Sequence, residues 1–195
     1  MRIIAGISKG RRLFTPKSNS LRPTSDRVKE SIFNILGKDI EGKVILDLFA
    51  GTGNLGIEAL SRGAKKTIFV EKGRQALSLI QRNLARCGIG DRSEVLPVDA
   101  DRAIGILKQR EVSFDLILMD PPYEKGWLQK IFTKLNSHPI YQRNSILVIE
   151  HGRHEPLPSV MHGWNLIRQR RMGDTVISFL SPQEDHPTTE AEIES

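Results

Sequence analysis

The chain has 195 residues, 38% of them hydrophobic, a single cysteine and a formal net charge of +6. That length and apolar share suit one globular domain with a normal core and exclude a wholly disordered chain. No apolar run approaches the ~18 residues needed to span a bilayer, the first residues lack the long apolar stretch of a secretory signal, and a lone Cys87 cannot form an internal disulfide. These features predict a cytoplasmic protein, and nothing in them demands more than a monomer.

The charge is unevenly spread. Residues 1–30 carry Arg2, Lys9, Arg11, Arg12, Lys17, Arg22, Arg27 and Lys29 against only Asp26 and Glu30. Residues 183–195 carry Glu184, Asp185, Glu190, Glu192 and Glu194 with no Lys or Arg. A basic body attracts polyanions with a salt-dependent affinity; a solvated basic surface is the plainer alternative. The acidic tail lacks aromatics and periodicity, which predicts disorder.

In chain order, Arg2 to Phe14 predicts a short hairpin turning at Ser8-Lys9-Gly10, and Pro16 to Pro23 a polar linker. Thr24 or Ser25 can cap a helix whose Val28, Ile32, Ile35 and Leu36 form an apolar stripe. Short apolar runs then alternate with helical stretches. Strands are predicted at 44–48, 67–71, 93–98, 114–120 and 145–150, with helices from the Gly-rich turn to Gly63 and over 76–87, 100–110 and 127–135. Trp164 to Met172 and Thr175 to Leu180, around Gly173-Asp174, predict a β-hairpin. The alternation predicts an α/β fold with a mostly parallel sheet covered on both faces. Ligands on such sheets bind beyond the carboxyl ends of the strands, near the topological switch point. The residues that follow each strand are therefore the candidates.

After the first strand, Gly51, Gly53 and Gly56 satisfy G-x-G-x-x-G, and Glu71 ends the next strand. That pattern is also the dinucleotide fingerprint, which keeps an NAD-dependent oxidoreductase as an alternative. Asp47 weighs against it, because an anion at the mouth of the turn repels a pyrophosphate. S-adenosylmethionine (SAM) carries an ammonium, a sulfonium and a ribose, so a rim of Asp47, Glu71 and Asp99 suits it better. Helix caps and close packing are the bland reading of the same residues. After the fourth strand comes Asp120-Pro121-Pro122-Tyr123. The prolines fix the backbone, and a carboxylate, a rigid carbonyl and an aromatic ring can hold a planar base by its exocyclic amino group.

Together, D-x-x-x-G-x-G and D-P-P-Y resemble the SAM-dependent methyltransferases that act on amino groups of nucleic-acid bases. RIIAGISKGRRL (2–13), RPTSDRVKESIFNIL (22–36) and DLFAGTGNLGIEALSRGA (47–64), with DPPY (120–123), closely resemble the bacterial RsmD-type family, which methylates N2 of a guanine in small-subunit (16S) ribosomal RNA. The resemblance runs from Arg2 to about Leu180. It implies a Rossmann-like seven-stranded sheet ending in an antiparallel hairpin, preceded by a basic N-terminal β-hairpin arm. It also implies SAM as cofactor, with Asp47, Phe49, Ala50, Gly51 and Gly53 at its methionine end, Glu71 on the ribose and Asp99 near the adenine. Asp120, Pro121, Pro122 and Tyr123 would form the base pocket. Lys9, Arg11, Arg12, Arg22, Thr24 and Arg27 would face RNA, as naked ribosomal RNA or an assembled small subunit. Two small departures are Thr52 where the family commonly has Ser and Lys29 where it commonly has Arg.

The implied organisation is an arm and linker over 1–23, a catalytic domain over 24–182 and a tail over 183–195. Adenine N6 or cytosine N4 in DNA or RNA remain alternative targets, and a non-catalytic nucleic-acid-binding module a further one. His151, His154 and His162, with Glu150, lack a cysteine partner and lie in a Pro/Gly-rich loop, so no metal is expected. Cys87 falls on an apolar helix face and predicts packing rather than chemistry. Trp127 and Trp164 predict partly buried anchors.

Overall fold

The computed structural model describes residues 1–16, 25–122 and 126–183. The expected arm at the N-terminus is a compact hairpin. Arg2 and Arg12 form an antiparallel bridge, and the Ile3 and Gly10 N–H groups donate to the carbonyls of Arg11 and Ile3 at 2.9 and 2.8 Å. Helix α1 (Asp26–Leu36) is capped by Ser25, whose hydroxyl accepts from the Val28 N–H at 3.2 Å.

Strand β1 (Val44–Leu48), helix α2 (Asn54–Ser61), β2 (Lys66–Val70), α3 (Arg74–Cys87), β3 (Ser93–Leu96), α4 (Ala100–Gln109) and β4 (Phe114–Met119) follow in strict alternation. β3 stops short of the predicted 98 because Pro97 has no N–H for the ladder. After α5 (Trp127–Ser137), strand β5 (Tyr141–Gly152) is about twice the predicted length, extended at its start by the polar, exposed Gln142, Arg143 and Asn144. β6 (Trp164–Met172) and β7 (Thr175–Pro182) form the terminal hairpin.

The seven strands lie in the order β3-β2-β1-β4-β5-β7-β6. β3 to β5 are parallel, and β7 enters antiparallel between β5 and β6. The order reverses between β1 and β4, which opens the ligand crevice at their carboxyl ends.

Each face of the sheet has its own core. Ile45, Phe69, Leu118, Val148, Ile177 and Phe179 pack under residues of α1, α2 and α3. Leu46, Leu48, Ile68, Ile117, Met119 and Ile149 pack with α4 and α5. Because strand side chains alternate, this division decides where every rim residue goes. Asp47, Glu71, Asp120 and Glu150 each continue the first face by two residues, at its carboxyl rim.

The N-terminal hairpin is laid onto that same helical layer. Ile3 and Leu13 are buried in its core. Gly6 has φ +81°, and a Cβ there would fall 1.7 Å from the Ser61 carbonyl oxygen, so only glycine allows this approach. Among the described residues no helix is long and apolar enough to cross a membrane.

Candidate functional site

The turn after β1 is built around its backbone. Gly51 and Gly53 take φ of 55° and 78°, and Phe49 shares this left-handed region at 67°. A non-glycine residue there is strained by about 1–3 kcal/mol and persists only where its surroundings hold it. The Ala50 N–H donates to Val70 at 2.9 Å, and the Phe49 ring meets Trp127 edge-on at 5.1 Å. Trp127 opens α5 just beyond the fourth-strand motif and carries Lys130 and Lys72 against its ring at 5.2 and 5.8 Å. The third glycine of the motif serves packing, since a Cβ on Gly56 would lie 2.3 Å from the Phe69 ring.

Two of the predicted carboxylates, Asp47 and Glu71, bond to backbone of this turn and the helix it opens. Asp47 is buried, and its Oδ2 accepts from the Gly56 N–H at 2.9 Å, in the first turn of α2. Gly53 supplies no side chain to cap that helix, so Asp47 does so from the neighbouring strand. Burial pushes its carboxyl up to about 7, the charges of Asp120 and Glu71 push the same way, and the Gly56 N–H draws it down. Glu71 bridges strand and turn. Its Oε2 accepts from Gly51 at 2.9 Å, and its Oε1 from Lys72 and Gly73 at 2.8 and 2.7 Å. Oε2 keeps an acceptor position for a hydroxyl. Asp99 caps α4 by accepting from Arg102 at 3.0 Å. The capping reading and the binding reading are thus both built into these acids.

Asp120 is half-buried directly after β4, with Pro121 buried and Pro122 exposed beside it. Tyr123, Arg22 and Thr24 lie outside the described residues, as does the tail from 184 onward. Arg27 is exposed in the first turn of α1. Lys9, Arg11 and Arg12 are exposed on the hairpin, but they do not gather at the carboxyl rim of the sheet. The Ile7 N–H donates to Ser61 at 2.9 Å, the Ser8 hydroxyl to Cys87 at 3.1 Å, and the Arg11 guanidinium to the Arg86 carbonyl. Those acceptors close α2 and α3 at the end away from the glycine turn. Cys87 is buried there, and burial pushes its thiol up.

Several residues of this region take roles that sequence reasoning did not give them. Lys29, counted there with the basic charge, is fully buried. Its Nζ donates to the Arg2 carbonyl at 2.5 Å and to Asn54 Oδ1 at 2.7 Å, and lies 3.4 Å from Glu58. Burial lowers its pKa, and Glu58 and Asp26 oppose that shift. Glu58 also accepts from the Ile4 and Ala5 N–H groups at 2.8 and 3.0 Å and from Arg62 at 2.8 Å. Asn83 donates to the carbonyls of Thr52 and Phe14 at 2.9 and 3.1 Å and accepts from the Phe14 N–H at 2.7 Å. Apart from the helical neighbours Glu58–Arg62 and Asp26–Lys29, these partners lie tens of residues apart, so no local pattern announces them. Glu150 is a further buried acid, one residue beyond the Met119–Ile149 pair and hence beside Asp120. An acid ending the fifth strand, after acids ending the first, second and fourth, was the signal for it.

Of the residues set aside, His151 has both ring nitrogens engaged, with Ser178 Oγ and the Glu155 carbonyl at 2.8 Å each. Trp164 is fully buried against Tyr141.

The family described as "Conserved hypothetical protein 95" matches residues 1–181. The chain belongs to that family. Ribosomal RNA small subunit methyltransferase D of Haemophilus influenzae is 35% identical to it over 183 residues, covering 92% of this chain and 91% of that protein. The solved structure of Escherichia coli yhhF superposes with a TM-score of 0.82 at 31% identity, covering 94% of this chain and 98% of that one. SMU.776, solved in complex with SAH, shares the fold at a TM-score of 0.63 and 14% identity, over 80% of this chain and 48% of that one. The conserved hypothetical protein 95 family is thus the RsmD-type family whose motifs the sequence resembles.

Proposed function

We propose that this protein transfers a methyl group from SAM to the exocyclic N2 of a guanine in small-subunit ribosomal RNA, in the cytoplasm. The observation that carries this reading is the gathering of Asp47, Glu71 and Asp120 at one carboxyl rim around the glycine turn, where Asp47 accepts from Gly56 and Glu71 from Gly51. A rim of that charge repels a pyrophosphate and fits a ligand bearing an ammonium and a sulfonium. The name of the Haemophilus influenzae relative supports the ribosomal substrate.

SAM supplies an electrophilic methyl group when bound. Asp47 holds the ammonium, and the backbone of Phe49, Ala50, Gly51 and Gly53 surrounds the methionine end. Glu71 takes a ribose hydroxyl on Oε2, and Asp99 accepts from the adenine amino group. The Asp120 carboxylate and the Pro121 carbonyl accept the two hydrogens of the guanine amino group. Pro122 stiffens the loop, and Tyr123 stacks on the base. An aromatic amine is a poor nucleophile because its lone pair is delocalised into the ring. Accepting both hydrogens localises that pair, and Asp120 holds the proton the nitrogen sheds. Alignment of the two reactants supplies most of the acceleration. Arg22, Thr24 and Arg27 are assigned to RNA next to the target base, and the arm with Lys9, Arg11 and Arg12 adds charge for RNA.

Labelled SAM is to be offered with small ribosomal subunits, naked ribosomal RNA and duplex DNA, and the modified nucleoside identified by mass spectrometry. N2-methylguanosine from a ribosomal sample is expected. Methyladenine or methylcytosine in DNA, or NAD binding without SAM binding, overturns the reading. Asp120→Ala should abolish turnover while sparing SAM affinity, and equal loss of both removes Asp120 from the base pocket.

A further inference from the structure

The C-terminal hairpin places an unassigned pair of cations at the catalytic rim. β6 is antiparallel to β7 and β7 to β5, so β6 runs in the direction of β5 and its last residues reach the carboxyl rim. It is the edge strand, and side chains from Asn165 to Arg171 on both of its faces are exposed.

A β-bulge decides which way its arginines go. Leu166 pairs with Leu180, but Arg168 then pairs with Phe179, leaving Ile167 as the extra residue. The bulge moves Arg168 and Arg170 onto the face that carries Asp47 and Asp120; a regular ladder would have sent them to the α5 face. Arg168 consequently ends the row Asp47, Leu118, Val148, Phe179 across the sheet. Arg170 ends the row Glu150, Ile177, with Asp120 beside Glu150. Three strand spacings separate Asp120 from Arg170, about 14 Å at ~4.8 Å each. Neither arginine forms an ion pair among the described residues.

We propose that Arg168 and Arg170 form a second RNA-binding strip, which takes backbone phosphates of the strand flanking the target base on the side away from the glycine turn. The inference rests on the methyltransferase reading and adds a surface to it. Two guanidinium groups on one face, without an ion pair among the described residues and a fixed distance from the base pocket, position a polyanion without reading its sequence. Charged residues on an edge strand also discourage sheet-to-sheet association. That role is served by either sign of charge, whereas a phosphate strip needs cations.

Charge reversal separates the two. In Arg168→Glu/Arg170→Glu, affinity for a small-subunit RNA fragment should fall roughly tenfold or more at low salt, with the salt slope shallower by roughly 1.5, about 0.7–0.9 for each lost phosphate contact. KM for RNA should rise, while kcat at saturating RNA, SAM affinity and the unfolding midpoint stay as in the unaltered chain. Arg168→Lys/Arg170→Lys should recover much of the affinity. Lys38→Glu/Lys65→Glu, exposed at the opposite rim, should have far less effect. Unchanged RNA affinity and slope in the Glu variant, with ribosomal RNA still methylated by the unaltered chain, overturn the strip alone. If the unaltered chain transfers no methyl group to ribosomal RNA, the functional reading falls and takes the strip with it.

Discussion

The two hairpins of this protein are both basic and both end in tight turns, yet they are attached by opposite means. The N-terminal one has a single bridge, Arg2–Arg12, and is held by buried side chains: Glu58 under Ile4 and Ala5, Lys29 on the Arg2 carbonyl, Asn83 on Phe14. The C-terminal one is held by a backbone ladder from Trp164–Pro182 to Met172–Thr175, and its arginines project from an exposed edge. The first hairpin spends Arg11 on a helix-end carbonyl, far from the rim. The second brings Arg168 and Arg170 to the face that carries Asp47 and Asp120. Basic composition alone therefore does not locate an interface; attachment decides which charges are left to act.

If buried charge is what holds the first hairpin, Glu58→Ala should be the most damaging change. It leaves Lys29 buried opposite an empty site and two backbone N–H groups without acceptors, a loss of about 3–5 kcal/mol. Urea unfolding should show it, and hydrogen exchange should show early loss of protection at Ile4 and Ala5. An unfolding midpoint near that of the unaltered chain would mean that Ile3 and Leu13 alone seat the hairpin. Asn83→Ala should cost about 1–3 kcal/mol. It should also weaken SAM binding, because the Thr52 carbonyl in the cofactor turn loses its partner. If SAM affinity is untouched, the hairpin and the turn are separate units.

The rim itself titrates. A carboxyl whose folded-state pKa is raised from 3.8 to about 7 binds its proton more tightly folded than unfolded. It therefore withdraws stability as pH climbs through that window. Asp47→Asn keeps an oxygen for the Gly56 N–H, so it should match the unaltered chain near pH 4 and exceed its stability at pH 8. SAM affinity should run the other way, rising by up to roughly tenfold per pH unit below about 7 as the carboxylate forms. In Asp47→Asn that rise should flatten. A pH-independent affinity in the unaltered chain would remove Asp47 from ammonium binding. The smallest effect belongs to the second hairpin: Arg168→Ala and Arg170→Ala should each change stability by no more than about 0.5 kcal/mol, as measured by urea unfolding. A larger loss would mean that β6 is held by its side chains after all.

Much of this was legible without coordinates, for reasons that differ from element to element. β1, β4 and α3 were recovered to within two residues, because apolar runs and helical spacing are local properties. The placement of Asp47, Glu71 and Asp120 at one rim followed from their position after parallel strands. Phe49 in a left-handed conformation was not legible, since no residue preference announces it. Nor was the inward turn of Lys29, whose environment comes from Arg2, Asn54 and Glu58.

By itself the sequence determined the alternation of strands and helices, the glycine turn, the acids after each strand and the rigid Asp120-Pro121-Pro122 segment. Local backbone preferences and hydrophobic periodicity act over a few residues and can be read in order along the chain. Only the tertiary structure decided that one basic hairpin is pinned to helix ends while the other faces the rim. It also decided that a bulge at Ile167 turns two arginines onto the face of Asp47 and Asp120, and that Asp47 is buried deeply enough for its carboxyl to be pushed up to about 7. Those outcomes depend on strand order, register and desolvation, which arise when distant segments meet and leave no mark in any short stretch of sequence.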